Sequence, residues 1–102
     1  MKYRTSPAFE RDYRGLPPRH RAAFRAAAGA FNDAAERAAR GEDRPWPKGL
    51  RVKRVRGTDD VWEMTWSMHD PDGRATWQWT TIDGEPAVLW RRLGDYAIFG
   101  RP

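Results

Sequence analysis

The chain has 102 residues, with 19 Lys and Arg against 14 Asp and Glu and a net charge of +5. This length supports one domain, residues 1–102, with one modest core, and the positive charge favours polyanionic partners. The absence of cysteine excludes disulfides and thiolate zinc sites. No hydrophobic run reaches the length of a membrane span and no signal-peptide core is present, so we expect a cytoplasmic protein without membrane contact.

The N-terminal part of the chain predicts a short strand followed by two helices. Residues 1–5 predict the strand, and Ser6 followed by Pro7 is typical of a helix N-cap and first turn. A longer helix is expected over residues 18–40, with Gly41 as its C-terminal cap. Small side chains dominate its apolar stripe, which would let a sheet approach closely. The stripe consists of Phe24, Ala27, Ala28, Phe31, Ala34, Ala35 and Ala38.

A basic strand is predicted over residues 50–56. Alternation would place Arg51 and Lys53 on its outer side, whereas Val55 breaks the pattern and indicates a bulge or the strand end. The neighbourhood of this strand is rich in cations and has no acid. Its cations are Lys48, Arg51, Lys53, Arg54 and Arg56.

Residues 62–80 predict an antiparallel β-hairpin, because both arms alternate strictly between apolar and polar side chains. One face, which needs a cover of helices, carries Trp62, Met64, Trp66, Ala75, Trp77 and Trp79. The other, water-facing side carries Glu63, Thr65, Ser67, Arg74, Thr76, Gln78 and Thr80. Turn chemistry separates the arms at Asp70-Pro71-Asp72-Gly73. The resulting register would pair Trp62 with Trp79, Met64 with Trp77 and Glu63 with Gln78.

A last strand is expected over residues 87–93, and one of its two arginines, Arg91 or Arg92, should point into or beside the core. The predicted order is strand, helix, helix and then further strands. This order indicates a small α+β fold, in which two N-terminal helices pack on one face of an antiparallel sheet of about four or five strands.

The predicted water-facing side combines cations and hydroxyls with a single carboxylate. Cations fixed on a rigid sheet can hold a phosphodiester and stabilise charge that develops on its oxygens. We expect the lone Glu63 to keep a low pKa and stay ionised, so that it could accept a proton from a ribose 2′-hydroxyl. Alternatively, Glu63 forms only a surface ion pair with Arg51, Lys53 or Arg74, worth about 0–1 kcal/mol. Two distant histidines give no metal signature, and no cofactor is predicted.

Several short motifs follow one another in a characteristic order and spacing. They are Leu50-Arg51-Val52-Lys53 to Arg56-Gly57, Trp62-Glu63-Met64, Gly73-Arg74-Ala75-Thr76-Trp77, and Arg92-Leu93-Gly94-Asp95-Tyr96 to Phe99. Together they resemble the RelE/ParE superfamily of bacterial toxins over almost the whole chain. The resemblance implies a type II toxin, partnered by an antitoxin. Its RelE branch implies cleavage of messenger RNA in the ribosomal A site without metal, leaving a 2′,3′-cyclic phosphate.

The resemblance also implies roles for single residues. Arg74 matches the arginine that contacts the scissile phosphate, and Tyr96 falls where many members place a catalytic histidine. The implied catalytic set is therefore Arg74, Glu63, Tyr96 and Lys53. The implied phosphate- and RNA-binding set is Arg51, Lys53, Arg54, Arg74, Arg91, Arg92 and Phe99. Phe99 or Trp90 would stack on a base.

Two other functions stay open from the sequence. The ParE branch implies a non-enzymatic inhibitor of DNA gyrase, in which the basic strand would be a protein or DNA contact. A non-toxic binding protein with the same fold would carry a similar water-facing surface.

Overall fold

The structure, a computed structural model, describes residues 1–43, 45–69 and 72–102. The predicted turn residues Asp70 and Pro71 lie outside these ranges. The helices and strands are β1 (Tyr3–Thr5), α1 (Pro7–Gly15), α2 (Pro18–Ala39), β2 (Lys53–Arg54), β3 (Trp62–Thr65), β4 (Arg74–Ile82) and β5 (Glu85–Gly94). Two 3₁₀ helices complete the described chain, at Lys48–Leu50 and Tyr96–Gly100.

The strands form one sheet of five in the order β1-β5-β4-β3-β2. The α+β fold with a first, N-terminal strand and two N-terminal helices is confirmed. The sheet is mixed rather than wholly antiparallel, because β1 runs parallel to β5 and the remaining pairs are antiparallel. The long connection that a parallel pair requires runs here through both helices and through β2, β3 and β4.

The helix ends follow the predicted signals. The Ser6 hydroxyl accepts a hydrogen bond from the Phe9 N–H at 3.0 Å, and Pro7 begins α1. At the end of α2, Gly41 has φ +83°, and its N–H donates to the Ala38 carbonyl at 2.9 Å. In the described ranges, no helix combines the length and hydrophobicity that a bilayer crossing needs.

The core lies between the helices and the tryptophan face of the sheet, as the alternation predicts. Trp77 is fully buried, with its ring 4.9 Å from the Phe31 ring between centroids. Trp90 packs against Phe31 at 4.8 Å. Further tryptophans are only half-buried at the margin of this core, and these are Trp46, Trp62 and Trp79.

The predicted hairpin register is wrong by two residues. The structure pairs Trp62 with Trp77, Glu63 with Thr76 and Met64 with Ala75. The ladder extends further towards the turn than expected, since the Trp66 N–H donates to the Gly73 carbonyl at 3.1 Å. A shift of two residues keeps every side chain on its predicted face, because strand side chains alternate with a period of two.

The predicted strand over residues 50–56 is reduced to β2, and Arg51 is not part of it. The 3₁₀ helix that buries Leu50 ends at Arg51, whose φ of 47° and ψ of 46° are left-handed. This conformation breaks the extended backbone before β2. Val55 follows the strand end and is buried, in agreement with the interrupted alternation.

A β-bulge in β5 decides where its two arginines lie. Thr76 of β4 pairs with Arg92, and the next residue, Trp77, pairs with Trp90, so that Arg91 is the extra residue. Because of the bulge, neither arginine enters the core, and both have polar hydrogen-bond partners.

Candidate functional site

A cavity of about 300 Å³ opens on the sheet face opposite the helices. Its lining residues are Arg51, Lys53, Val55, Arg56, Glu63, Thr65, Arg74, Tyr96 and Phe99. Four cations, one carboxylate and two aromatic rings therefore surround one space. The structure brings together all four predicted catalytic residues, and also Arg51 and Phe99 from the predicted binding set.

Strand pairing explains why the cavity residues converge. Lys53 of β2 lies directly opposite Glu63 of β3, and Thr65 of β3 lies opposite Arg74 of β4. Directly opposite side chains project from the same face, so these groups share one surface. Arg51 reaches the cavity from the left-handed turn before β2 rather than from a strand.

Arg74 is the most constrained cation of the cavity, with only 4% of its surface exposed. Its Nη1 donates to Asp72 Oδ1 at 2.6 Å and to the Gly73 carbonyl at 3.1 Å. Its Nη2 donates to the Tyr96 hydroxyl at 3.0 Å. These contacts orient the guanidinium from both sides, which is the preorganisation that anion recognition favours.

The main chain of Arg74 is held by Trp66. The indole Nε1 donates to the Arg74 carbonyl at 2.9 Å. This indole lies so close to Gly73 that a Cβ there would sit 2.4 Å from its Cε2 atom. Glycine is therefore required at this position by the close approach of Trp66, which in turn fixes the start of β4.

Glu63 lies at the cavity wall with 9% of its surface exposed. Burial raises the pKa of its carboxyl, and the opposing charges of Lys53 and Arg74 only partly offset this effect. The expectation that the surrounding cations hold this pKa low is therefore wrong. The predicted surface ion pair is also not formed, because no cation of the described ranges lies within ion-pair distance of the Glu63 carboxylate.

Tyr96 and Phe99 form the aromatic edge of the cavity. Their ring centroids are 5.7 Å apart with an interplanar angle of 64°, and Tyr96 is 59% exposed. Asp95 is the N-cap of the 3₁₀ helix that carries them, and its carboxylate accepts a hydrogen bond from the Ala97 N–H at 2.8 Å. Since the Tyr96 hydroxyl accepts from Arg74, its own proton remains available to a ligand.

Arg54 and Trp90, by contrast, lie outside the cavity. The Arg54 guanidinium sits 5.2 Å from the ring centroid of Trp62. Trp90 is 3% exposed and packs among the core rings, so the expectation that it could stack on a base is wrong.

Arg91 and Arg92 lie outside the cavity as well. The Nε of Arg92 donates to Asp12 Oδ2 at 2.7 Å, and the Nε of Arg91 donates to the Pro102 main-chain oxygen at 3.1 Å. The predicted binding set is thus divided among three places: the cavity, the side of Trp62 where Arg54 lies, and the surface of Arg91 and Arg92.

The C-terminal segment, residues 95–102, crosses the sheet face that was expected to be wet. Thr76, predicted to face water, is fully buried, and its hydroxyl donates to the Pro102 main-chain oxygen at 2.8 Å. Ile98 of the same segment is buried too. The water-facing surface is therefore smaller than alternation alone indicates. The cavity lies beside the C-terminal segment, which contributes Tyr96 and Phe99 to its wall.

Arg56 lines the cavity although it was not among the predicted site residues. The signal for it was the run of cations around β2, and not the alternation, because a spacing of two residues from Arg54 would place Arg56 on the side that faces away from the cavity. Arg56 adds a fourth positive charge to the cavity wall.

Within the described ranges, no group of three or more His, Cys, Asp or Glu side chains is placed to hold a metal ion.

Comparison with known proteins finds no relative. No family model matches the chain, and no curated protein or solved structure matches it at a significant level.

Proposed function

We propose that this chain is a cytoplasmic RNA endonuclease of the RelE-like toxin type, neutralised by an antitoxin protein. The observation that carries the proposal is the convergence of four cations, one partly buried carboxylate and an arginine-bound tyrosine around one cavity. Each of these groups has a role in transphosphorylation by a ribose 2′-hydroxyl, and this reaction needs only a base, an acid and stabilisation of phosphate charge.

The phosphate would bind to the cations of the cavity. Arg51, Lys53 and Arg74 line it from three different elements, which allows them to surround a phosphodiester. Arg74 keeps its Nε–H and one Nη2–H without a hydrogen bond to any described residue. An N–H pair of this kind can donate to two phosphate oxygens in the bidentate geometry that guanidinium groups favour.

Glu63 would act as the general base. Its raised pKa suits this role, because a base works best when its pKa approaches the pH at which it operates. The Glu63 carboxylate takes the proton of the 2′-hydroxyl, and the 2′-oxygen forms a bond to the adjacent phosphorus. The bond between phosphorus and the 5′-oxygen breaks, leaving a 2′,3′-cyclic phosphate.

Tyr96 would supply the proton that the departing 5′-oxygen needs. The hydrogen bond from Arg74 orients the phenolic oxygen and leaves its own proton free to be donated. Phe99 and the Tyr96 ring offer apolar faces on which an unpaired base can stack.

The test is a translation reaction that contains a defined messenger RNA and the purified protein. We expect cleaved messenger with cyclic-phosphate ends for the wild-type chain, and intact messenger for Arg74→Ala and Arg51→Ala. Arg51 is exposed, so its variant reports on function even if the buried Arg74 proves necessary for folding. Arg19→Ala, an exposed change on α2, is the matched control and should cleave normally.

Intact messenger at micromolar wild-type protein contradicts the proposal. Inhibition of gyrase supercoiling without any RNA cleavage would establish the ParE-like alternative instead.

A further inference from the structure

A second basic cavity, of about 420 Å³, lies beside α1 and β5. Its lining residues are Ser6, Ala8, Arg11, Asp12, Leu89, Arg91, Arg92, Arg101 and Pro102. Four guanidinium groups and a single side-chain carboxylate face this space, a side-chain charge of +3. Neither Arg11 nor Arg101 belongs to the predicted binding set.

The single acidic side chain of this second basic cavity, Asp12, is already neutralised. Asp12 accepts hydrogen bonds from Arg92 at 2.7 and 3.3 Å and from the Leu93 N–H at 3.0 Å. Its carboxylate therefore has three donors within the protein. An anion in the cavity would meet little repulsion from a carboxylate that is saturated in this way.

The remaining arginines have N–H groups without a hydrogen-bond partner among the described residues. Arg91 uses Nε for the Pro102 main-chain oxygen and Nη1 for Gln78, which leaves its Nη2 group without a partner among the described residues. Arg11 and Arg101 are exposed, and their side chains make no hydrogen bond or ion pair with any described residue. Unpaired cations around a concave surface are suited to anion binding.

Strand geometry places the two cavities next to each other. Arg92 lies directly opposite Thr76 on β4, and Arg74 of the first cavity is two residues away from Thr76 on the same strand. The Cα atoms of Arg74 and Arg92 are therefore roughly 8 Å apart, from strand rise and strand spacing. Residues 95–102 separate the two spaces, with Tyr96 lining the first cavity and Arg101 lining the second.

We propose that the second basic cavity binds a phosphate of the same single-stranded RNA whose scissile linkage occupies the first. This inference rests on the proposed function for the identity of the polyanion. The strand would cross residues 95–102, stacking a base on the exposed ring of Tyr96 and placing a further phosphate against Arg11, Arg91 and Arg101. Basic grooves interrupted by aromatic side chains bind single strands in this manner.

The test compares Arg11→Ala/Arg101→Ala with the control Arg14→Ala/Arg19→Ala. All four arginines are exposed, so both double variants lose two charges without disturbing the core. The ligands are 2′-O-methylated RNAs of about two and about ten nucleotides, which cannot be cleaved because they lack the attacking hydroxyl. Affinity is measured by fluorescence anisotropy over a series of salt concentrations.

We expect Arg11→Ala/Arg101→Ala to weaken binding of the longer RNA about tenfold and to lower its salt slope by about 0.7 for each lost phosphate contact. Binding of the short RNA should not change, since it reaches only the first cavity. The control should bind both RNAs as the wild-type chain does.

The second binding site is overturned if both double variants lose the same affinity for the longer RNA. It is also overturned if Arg11→Ala/Arg101→Ala loses as much affinity for the short RNA as for the longer one. Its failure is separable from that of the nuclease. If the wild-type chain cleaves messenger RNA and both double variants bind RNA alike, only the proposed function is supported. If the wild-type chain cleaves no RNA, and Arg11→Ala/Arg101→Ala alone loses affinity for the longer RNA, only the RNA-binding site is supported.

Discussion

The Arg74 guanidinium donates a hydrogen bond to the Tyr96 hydroxyl at 3.0 Å and lies 4.7 Å from the centroid of the same ring. This double contact joins the first residue of β4 to the C-terminal 3₁₀ helix across the cavity. It gives the tyrosine a fixed orientation although the side chain is largely exposed. Substitution can test its two parts separately, because the hydroxyl accepts the hydrogen bond and the ring makes the cation–π contact.

Tyr96→Phe removes the hydroxyl and keeps the ring. If Tyr96 donates the proton to the leaving oxygen, single-turnover cleavage should fall by about 10²–10⁴-fold. The thermal midpoint should change little, because the residue is exposed and the cation–π contact remains. Tyr3→Phe, at an equally exposed tyrosine on β1, is the control. Cleavage at the wild-type rate by Tyr96→Phe would remove Tyr96 from the reaction.

Glu63→Gln tests the general base through the pH dependence of cleavage. Cleavage by the wild-type chain should increase with pH as Glu63 loses its proton, with a midpoint above the ordinary value of 4.5. This limb should be absent in Glu63→Gln, together with most of the activity. Glu85→Gln on β5, at an exposed site, should keep the wild-type profile. An unchanged acidic limb in Glu63→Gln would assign the titration to another group.

The same carboxyl predicts a pH dependence of stability. The pKa of Glu63 is higher in the folded than in the unfolded chain, so between these two values the folded state binds more protons. Its contribution to the free energy of unfolding is greatest below the unfolded pKa and is lost as the pH rises through the folded pKa. Urea unfolding should therefore show Glu63→Gln gaining stability relative to the wild-type chain from about pH 4 to about pH 8. A difference in stability that stays constant over this range, or a Glu63→Gln variant that loses stability relative to the wild-type chain as the pH rises, contradicts the raised pKa.

Gly73→Ala should destabilise the fold by about 1–3 kcal/mol, because the added Cβ overlaps the Trp66 indole. The control is Gly29→Ala within α2, where an added Cβ meets no atom within 4 Å. That variant should gain about 0.5–1 kcal/mol from helix propensity. Denaturant unfolding measures both changes. Equal stabilities would show that Trp66 does not lie against Gly73.

Thr76→Val tests the attachment of the C-terminal segment. The change keeps the shape of the buried side chain and removes the hydroxyl that donates to the Pro102 oxygen. We expect a loss of about 0.5–1.5 kcal/mol and faster amide hydrogen exchange in residues 96–101. Thr81→Val, at an exposed site on β4, should leave that exchange unchanged. Unaltered protection in both variants would mean that the hydroxyl does not hold the segment.

The features that the sequence predicts well are those decided by local chemistry or by periodicity. Ser6 and Gly41 mark helix ends through their own side chain and backbone, without help from the tertiary fold. The two-residue alternation places Glu63 and Arg74 on one face, and an error of two in the register leaves that placement intact. The part of the cavity that lies on the hairpin follows from this alternation.

Other features depend on contacts between distant segments. Arg51 adopts a left-handed backbone, which periodicity cannot indicate. Thr76 is buried by the C-terminal segment, although its position in the alternation suggests exposure to water. The pKa of Glu63 moves upward because packing removes water from the carboxyl, and this effect exceeds the attraction of the cations that the sequence shows.

The extra residue in β5 has a consequence for how the surface charge of this fold could vary. Without Arg91, the side chains of Trp90, Arg92 and Leu93 would alternate regularly between the core and the opposite face of the sheet, as their partners on β4 already do. A single-codon deletion at this point would straighten the ladder and remove one positive charge, and it would also remove the hydrogen bonds that Arg91 makes with Ser6, Gln78 and Pro102. The core-facing side chains of Trp90 and Leu93 would keep their partners on β4, so the charge of this surface can vary without a change in the pairing of the core residues.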